Sequence, residues 1–172
     1  MATEYTKYVL AGYNFDHELR GWHKPQVFDT YDEALEKMRR EWEDYQNKYV
    51  LDTYEDTDGD DYRVLNYFTE GDNETATASS CEYDTRFGDM MIIEPTNLPY
   101  VVISAYEDET GHGINKYFTE HYRTQAYDQL FVSLHSIVFD MQSPMLEADG
   151  NTFSLYDSAG FDENYFMIVD CN

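Results

Sequence analysis

Tyr8-Val9-Leu10-Ala11-Gly12-Tyr13 and Val101-Val102-Ile103-Ser104-Ala105-Tyr106 decide how this chain is read. Each is an apolar, strand-like run closing on a tyrosine. Each is followed by a polar loop and a second short run, Gln26-Val27-Phe28 in the first half and Lys116-Tyr117-Phe118 in the second. Each second run leads into a helix signal. Thr30-Tyr31-Asp32-Glu33 has the spacing of a capping box, in which the Thr30 hydroxyl accepts from the Glu33 N–H. Thr124 stands at the matching place before the second helix.

The first helix is expected from about Asp32 to Lys48. Leu35, Met38, Trp42, Tyr45 and Tyr49 recur at steps of three and four and form one apolar stripe. Lys37, Arg39 and Arg40 lie off that stripe and are read as partners of the helix's own acids. The second helix is expected from about Gln125 to Asp140, with Tyr127, Leu130, Phe131, Leu134 and Val138 facing the core. Asp149-Gly150 reads as a two-residue hairpin turn.

Paired strands then follow each helix. Cys81-Glu82-Tyr83-Asp84 answers Ser154-Leu155-Tyr156-Asp157, and Asp89 to Glu94 answers Tyr165 to Asp170. The chain therefore reads as α+β: two tandem β-β-α-β-β units with antiparallel sheet and one main helix each. The first covers 1–95 and the second 96–172. Pro95-Thr96-Asn97-Leu98-Pro99 is the natural joint, because two prolines in five residues interrupt regular structure. The first unit is expected to carry an acidic insertion at about 50–80. It holds nine acids, among them Asp56, Asp58, Asp60 and Asp61, against the single base Arg63.

Charge is the strongest clue to function. The 172 residues carry 35 Asp+Glu against 11 Lys+Arg, a formal net charge of −24, with 17% aromatic residues including 17 Tyr. Disordered acidic tails are poor in aromatics, so this is a folding chain. A phosphate-backbone binder needs a basic surface, so direct nucleic-acid binding is excluded. No run approaches the roughly 18 apolar residues of a membrane span. Met1-Ala2-Thr3-Glu4-Tyr5 has neither a basic nor an apolar leader segment. The expected location is cytoplasmic, with Cys81 and Cys171 as reduced thiols.

Motifs for chemistry are weak. In Asp56-Thr57-Asp58-Gly59-Asp60-Asp61 the glycine could sit at the sixth place of a calcium loop, but Tyr54 and Leu65 would then fill the first and twelfth places. His17, His23, His112, His121 and His135 make no helical zinc pattern, and no nucleophile elbow or phosphate loop occurs. The expectation is a non-enzymatic protein with no metal and no cofactor.

Both halves are negative. Residues 1–94 hold 23 acids and 9 bases, and residues 95–172 hold 12 acids and 2 bases. At one charge per about 1.7 Å of duplex axis, 24 charges match roughly 40 Å of B-DNA, on the order of 12 base pairs. In composition and size the chain resembles the small acidic phage or mobile-element inhibitors that imitate DNA, of anti-CRISPR and anti-restriction type. The resemblance implies a partner that handles nucleic acid through a basic groove, such as a defence nuclease; no residue role is carried over from it. Loops carry function more often than the scaffold beneath them. The contact residues are therefore expected at Asp56, Asp58, Asp60 and Asp61, with Glu107, Asp108 and Glu109 in reserve. Competing readings are an immunity- or antitoxin-like binder of another basic protein, a halophilic protein, and an accessory acidic module.

Overall fold

The structure, a computed structural model, describes residues 6–14, 21–49, 54–55, 61–62, 65–70, 76–81, 88–108, 111–138, 144–157 and 163–172. Among these residues it is α+β, with two helices and two main antiparallel sheets, and the chain divides into two compact units, Tyr8–Pro95 and Thr96–Asn172 together with Met1–Lys7. None of the described helices is long and apolar enough to cross a membrane.

The first unit runs β1 (Lys7–Asn14), β2 (Gly21–Trp22), β3 (Gln26–Phe28), α1 (Tyr31–Tyr49), β4 (Tyr54–Glu55), β5 (Asp61–Tyr62), β6 (Leu65–Glu70), β7 (Ala76–Cys81) and β8 (Gly88–Thr96). Its main sheet has the order β2-β1-β8-β7-β6, with β3 also on β1, and β4 pairs β5 in a small separate ladder. The second unit runs β9 (Tyr100–Asp108), β10 (Gly111–Glu120), α2 (Arg123–Val138), β11 (Pro144–Asp149), β12 (Thr152–Asp157) and β13 (Glu163–Asp170). Its order is β10-β9-β13-β12-β11. With β2 and β3 counted together as one partner of β1, the six-stranded first sheet and the five-stranded second sheet have the same order of strands.

This corrects three details of the sequence reading. Three strands, not two, follow each helix into its sheet. The additional ones, β6 and β11, occupy sheet edges, where the leading Pro144 of β11 is tolerated. Residues 65–70 and 76–81, inside the expected insertion at 50–80, are strands of the main sheet. Third, β8 continues through Pro95 to Thr96 instead of stopping before the proline. The buried Thr96 hydroxyl donates to the Leu98 carbonyl at 3.0 Å and accepts from the Leu98 N–H at 3.2 Å, closing a tight local turn.

The helices form for the reasons the sequence suggests, with one difference in what they bury. The Glu33 N–H donates to Thr30 Oγ1 at 3.3 Å, so Thr30 caps α1. Ala34, Leu35 and Met38 pack on Tyr8, Leu10 and Ile92, with Phe28 and Tyr31 at the margin. Lys37 pairs with Glu41 at 3.2 Å and Arg40 pairs with Glu36, both one turn apart on α1. The side chains of Trp42, Tyr45 and Tyr49 lie outside the described residues. Helix α2 starts at Arg123, two residues before the expected position, and its first turn closes from the Ala126 N–H to the Tyr122 carbonyl at 3.0 Å. It buries Ala126, Leu130 and Leu134 against Val102, Phe153, Leu155, Phe166 and Ile168. Tyr127 and Phe131, expected in the core, stand 39% and 45% exposed. The small Ala126 brings the helix close to its sheet, and the neighbouring stripe turns outward. The hairpin loop after β11 is Gly150-Asn151, one residue beyond the expected turn, with Gly150 at φ +60°.

Both faces of the central strands are buried. On β1, Tyr8 and Leu10 face α1, while Val9, Ala11 and Tyr13 on the opposite face are equally buried. On β9 and β13, Val102, Phe166 and Ile168 face α2, and Val101, Ile103, Ala105, Tyr165, Met167 and Val169 are buried on the other side. Burial on both faces accounts for the unbroken apolar runs of β1 and β9.

The second strand of each hairpin carries a one-residue shift. Tyr13 pairs Trp22, whereas Leu10 pairs Gln26 and Tyr8 pairs Phe28. In the second unit Lys116 pairs Ile103, but Phe118 pairs Val102. The bulge turns Phe118 onto the helix side, with Tyr117 packed against Phe118 and Phe166 at 5.4 and 5.3 Å. Matching Phe28 to Phe118 matches Tyr8 to Val102, not to Val101 as the bare sequence similarity has it.

Met38→Ala and Leu134→Ala remove fully buried side chains and should each cost about 2–5 kcal/mol. Phe131→Ala should cost far less, because its ring is half open to water. Urea unfolding of the three variants checks the order; a Phe131 loss equal to that of Leu134 would contradict the observed facing of α2.

Candidate functional site

The predicted contact residues do not assemble into one described site. Asp56, Asp58, Asp60 and Glu109 lie outside the described residues. Asp61 is on β5, in register with Glu55 of β4. Glu107 and Asp108 end β9, in the middle of the second sheet. There the backbone register gathers further acids. Glu107 is directly opposite Glu163 on one side and His112 on the other, and Asp157 ends the neighbouring β12. Neither 107–113 nor 157–163 contains a Lys or Arg.

A second feature lies in the first unit. The His23 N–H donates to the Gly12 carbonyl at 2.8 Å, and the imidazole lies across Gly12. A methyl group at Gly12 would stand 2.9 Å from His23 Nδ1. Glu41 closes this corner, accepting from Gln26 Nε2 at 2.8 Å and from Lys37. The cleft between them encloses about 10 Å³, room for a single water at most and too small for an organic ligand. Partial burial of the ring lowers the His23 pKa, and the Glu41 carboxylate opposes that shift. This corner is a packing device. In the second unit the Tyr106 ring likewise covers its cross-strand partner Gly113, where an added methyl group would stand 3.0 Å from the Tyr106 hydroxyl oxygen. An aromatic ring laid over a cross-strand glycine restores the packing that the glycine lacks.

A third feature escaped the sequence reading because its residues were assigned to the core. On the outer flank of α2, the Tyr127 and Phe131 rings lie nearly parallel, 6.5 Å apart and 9° from coplanar. The His135 ring packs on Phe131 at 4.3 Å, and its Nδ1–H donates to the Phe131 carbonyl at 3.0 Å. Tyr127 also meets Phe153 edge-on at 5.4 Å, which fixes this aromatic row to the sheet. The i, i+4, i+8 spacing is visible in the sequence, but the direction the row faces is not.

Of the remaining candidates, His17 lies outside the described residues and His121 is exposed beside Tyr122. Among the described residues, no group of three His, Cys, Asp or Glu is arranged to hold a metal ion. Cys171 is a buried thiol; burial, with Asp170 beside it, pushes its pKa up to about 11, which keeps it protonated and unreactive at neutral pH. Neither a protein-family model, a curated protein nor a solved structure matches the chain.

Gly12→Ala should push the His23 ring into solvent and raise its pKa, because the desolvation is relieved while the Glu41 carboxylate remains. Since His23 has a lowered pKa in the fold, its contribution to stability is complete above about pH 6.5 and is lost as pH falls through the folded value. The wild type should therefore lose stability relative to His23→Gln between pH 7 and pH 5. NMR titration of His23 and paired urea midpoints check both statements; an unmoved His23 pKa in Gly12→Ala would show that the ring is not held by that glycine.

Proposed function

We propose that this chain is a non-enzymatic acidic inhibitor that mimics nucleic acid and occupies the basic groove of a defence nuclease, in the manner of anti-CRISPR and anti-restriction proteins. The observation that carries the reading is a net charge of −24 distributed over both halves of a chain in which each half has its own apolar core. A tail of the same charge would have to be ordered on binding, whereas a folded polyanion meets a basic groove without that entropic cost. The facing Glu107 and Glu163, with Asp108 and Asp157 at the same end of the sheet, support a contact surface there. A cationic partner is complementary to the acids gathered at these positions.

The same reading takes the chain as two tandem copies of one unit. The shared strand order, the one-residue bulge and the ring laid over a glycine in each unit support duplication. Two related acidic units in one chain suit a long basic groove better than a single compact pocket.

Two neutralised variants test the contact surface against a nuclease recovered by pull-down at low salt. One replaces Asp56, Asp58, Asp60 and Asp61 with Asn or Ser. The other replaces Glu107, Asp108, Glu109 and Glu163 with Gln or Asn. At least one should slow association about tenfold at low salt and flatten its salt dependence, with the fold intact. Capture of no nucleic-acid-handling protein at low salt contradicts the mimic reading.

A further inference from the structure

The aromatic row on α2 has a physical role beyond packing. Tyr127 and Phe131 are 39% and 45% exposed, His135 is exposed, and Val132 beside them is 66% exposed. Helices of soluble proteins normally turn rings of this size inward, and here the core positions are already filled by Ala126, Leu130 and Leu134. At 100° per residue, the exposed Asp128 falls about 60° from Phe131 and about 20° from His135 on the same flank. The flank therefore joins stacked π-faces to a carboxylate. After Arg123 the helix has no Lys or Arg, and the Arg123 Nε–H donates to Asn151 Oδ1 at 3.2 Å.

Charge selects what can cover this flank. A second copy of the chain would bring another 24 negative charges to a surface that is already negative. A single strand of nucleic acid could stack its bases on the rings, but its phosphates would meet a half-chain with 12 acids and 2 bases. A cationic segment meets neither obstacle. Among cations, the planar guanidinium lies flat on aromatic faces and can pair with a carboxylate at the same time, whereas a lysine ammonium acts as a hydrated point charge.

We infer that the outer flank of α2, formed by Tyr127, Asp128, Phe131 and His135, is a docking surface for an arginine-bearing basic segment of the partner. The inference rests on the proposed acidic-binder function and adds to it a selectivity that charge alone does not supply. Carboxylates on loops attract Lys and Arg alike; the α2 flank discriminates between them. Arg side chains stack on Tyr127 and Phe131, and Asp128 anchors the guanidinium that lies beside them.

The test uses the full-length chain, isotope-labelled, titrated with nona-arginine and with nona-lysine at physiological salt. The arginine peptide should bind about three- to fivefold tighter than the lysine peptide, the range of a solvent-exposed cation–π contact. It should move the ring resonances of Tyr127, Phe131 and His135. Phe131→Leu keeps the apolar bulk and removes the π-face; together with Tyr127→Ser it should abolish the preference, while Glu107→Gln with Asp108→Asn should leave the preference in place. Equal affinity for the two peptides, or arginine binding that leaves the α2 resonances unmoved, overturns the docking surface and leaves the acidic-binder reading standing. Binding of neither peptide overturns both.

Discussion

Burial of the central strands on both faces is the constraint on which this molecule depends. A chain with 35 acids and 11 bases repels itself, and that repulsion favours expansion. Against it stand β1, β9 and β13, whose residues Val9, Leu10, Ala11, Val101, Val102, Ile103, Phe166, Ile168 and Val169 are almost completely withdrawn from water. Because these strands present apolar side chains in both directions, they carry charged residues only at their ends: Lys7 on β1, Glu107 and Asp108 on β9, Glu163 and Asp170 on β13.

Within each unit the details serve close approach. Met38 and Ala34 set α1 on its sheet, and Ala126 and Leu130 do the same for α2. The bulges near Gln26 and Phe118 deliver an aromatic side chain to the helix side of a strand whose alternation would otherwise place it on the opposite face. Beyond the helix, a ring over a glycine completes the cross-strand packing, His23 on Gly12 in one unit and Tyr106 on Gly113 in the other.

The sequence made some of this legible. Thr30 and the spacing of Leu35 and Met38 mark α1 and its buried face, and the apolar runs of β1 and β9 mark the central strands. What it concealed has physical reasons. A strand buried on both faces has no polar alternation, so its register cannot be read from the residues; the structure pairs Phe28 with Tyr8 and Phe118 with Val102. On α2, two adjacent stripes are both apolar: Ala126-Leu130-Leu134 and Tyr127-Phe131. Hydrophobicity favours the larger residues, yet close packing selected the smaller ones. The run 62–68 hints at the edge strand β6 (Leu65–Glu70), whereas β11, which opens on Pro144, carries little strand signal. Charge was legible in amount but not in place, since a carboxylate needs only an exposed position and the sequence offers many.

The central claim is that a folded polyanion takes the place of nucleic acid in a basic groove. Competition for that groove tests it most directly. A labelled duplex of about 12 base pairs, bound to the captured nuclease, is challenged with the chain at two salt concentrations. The account predicts full competitive displacement, with the chain's apparent affinity falling as salt rises. Formation of a ternary complex, in which the chain binds while the duplex stays bound with unchanged affinity, would contradict it.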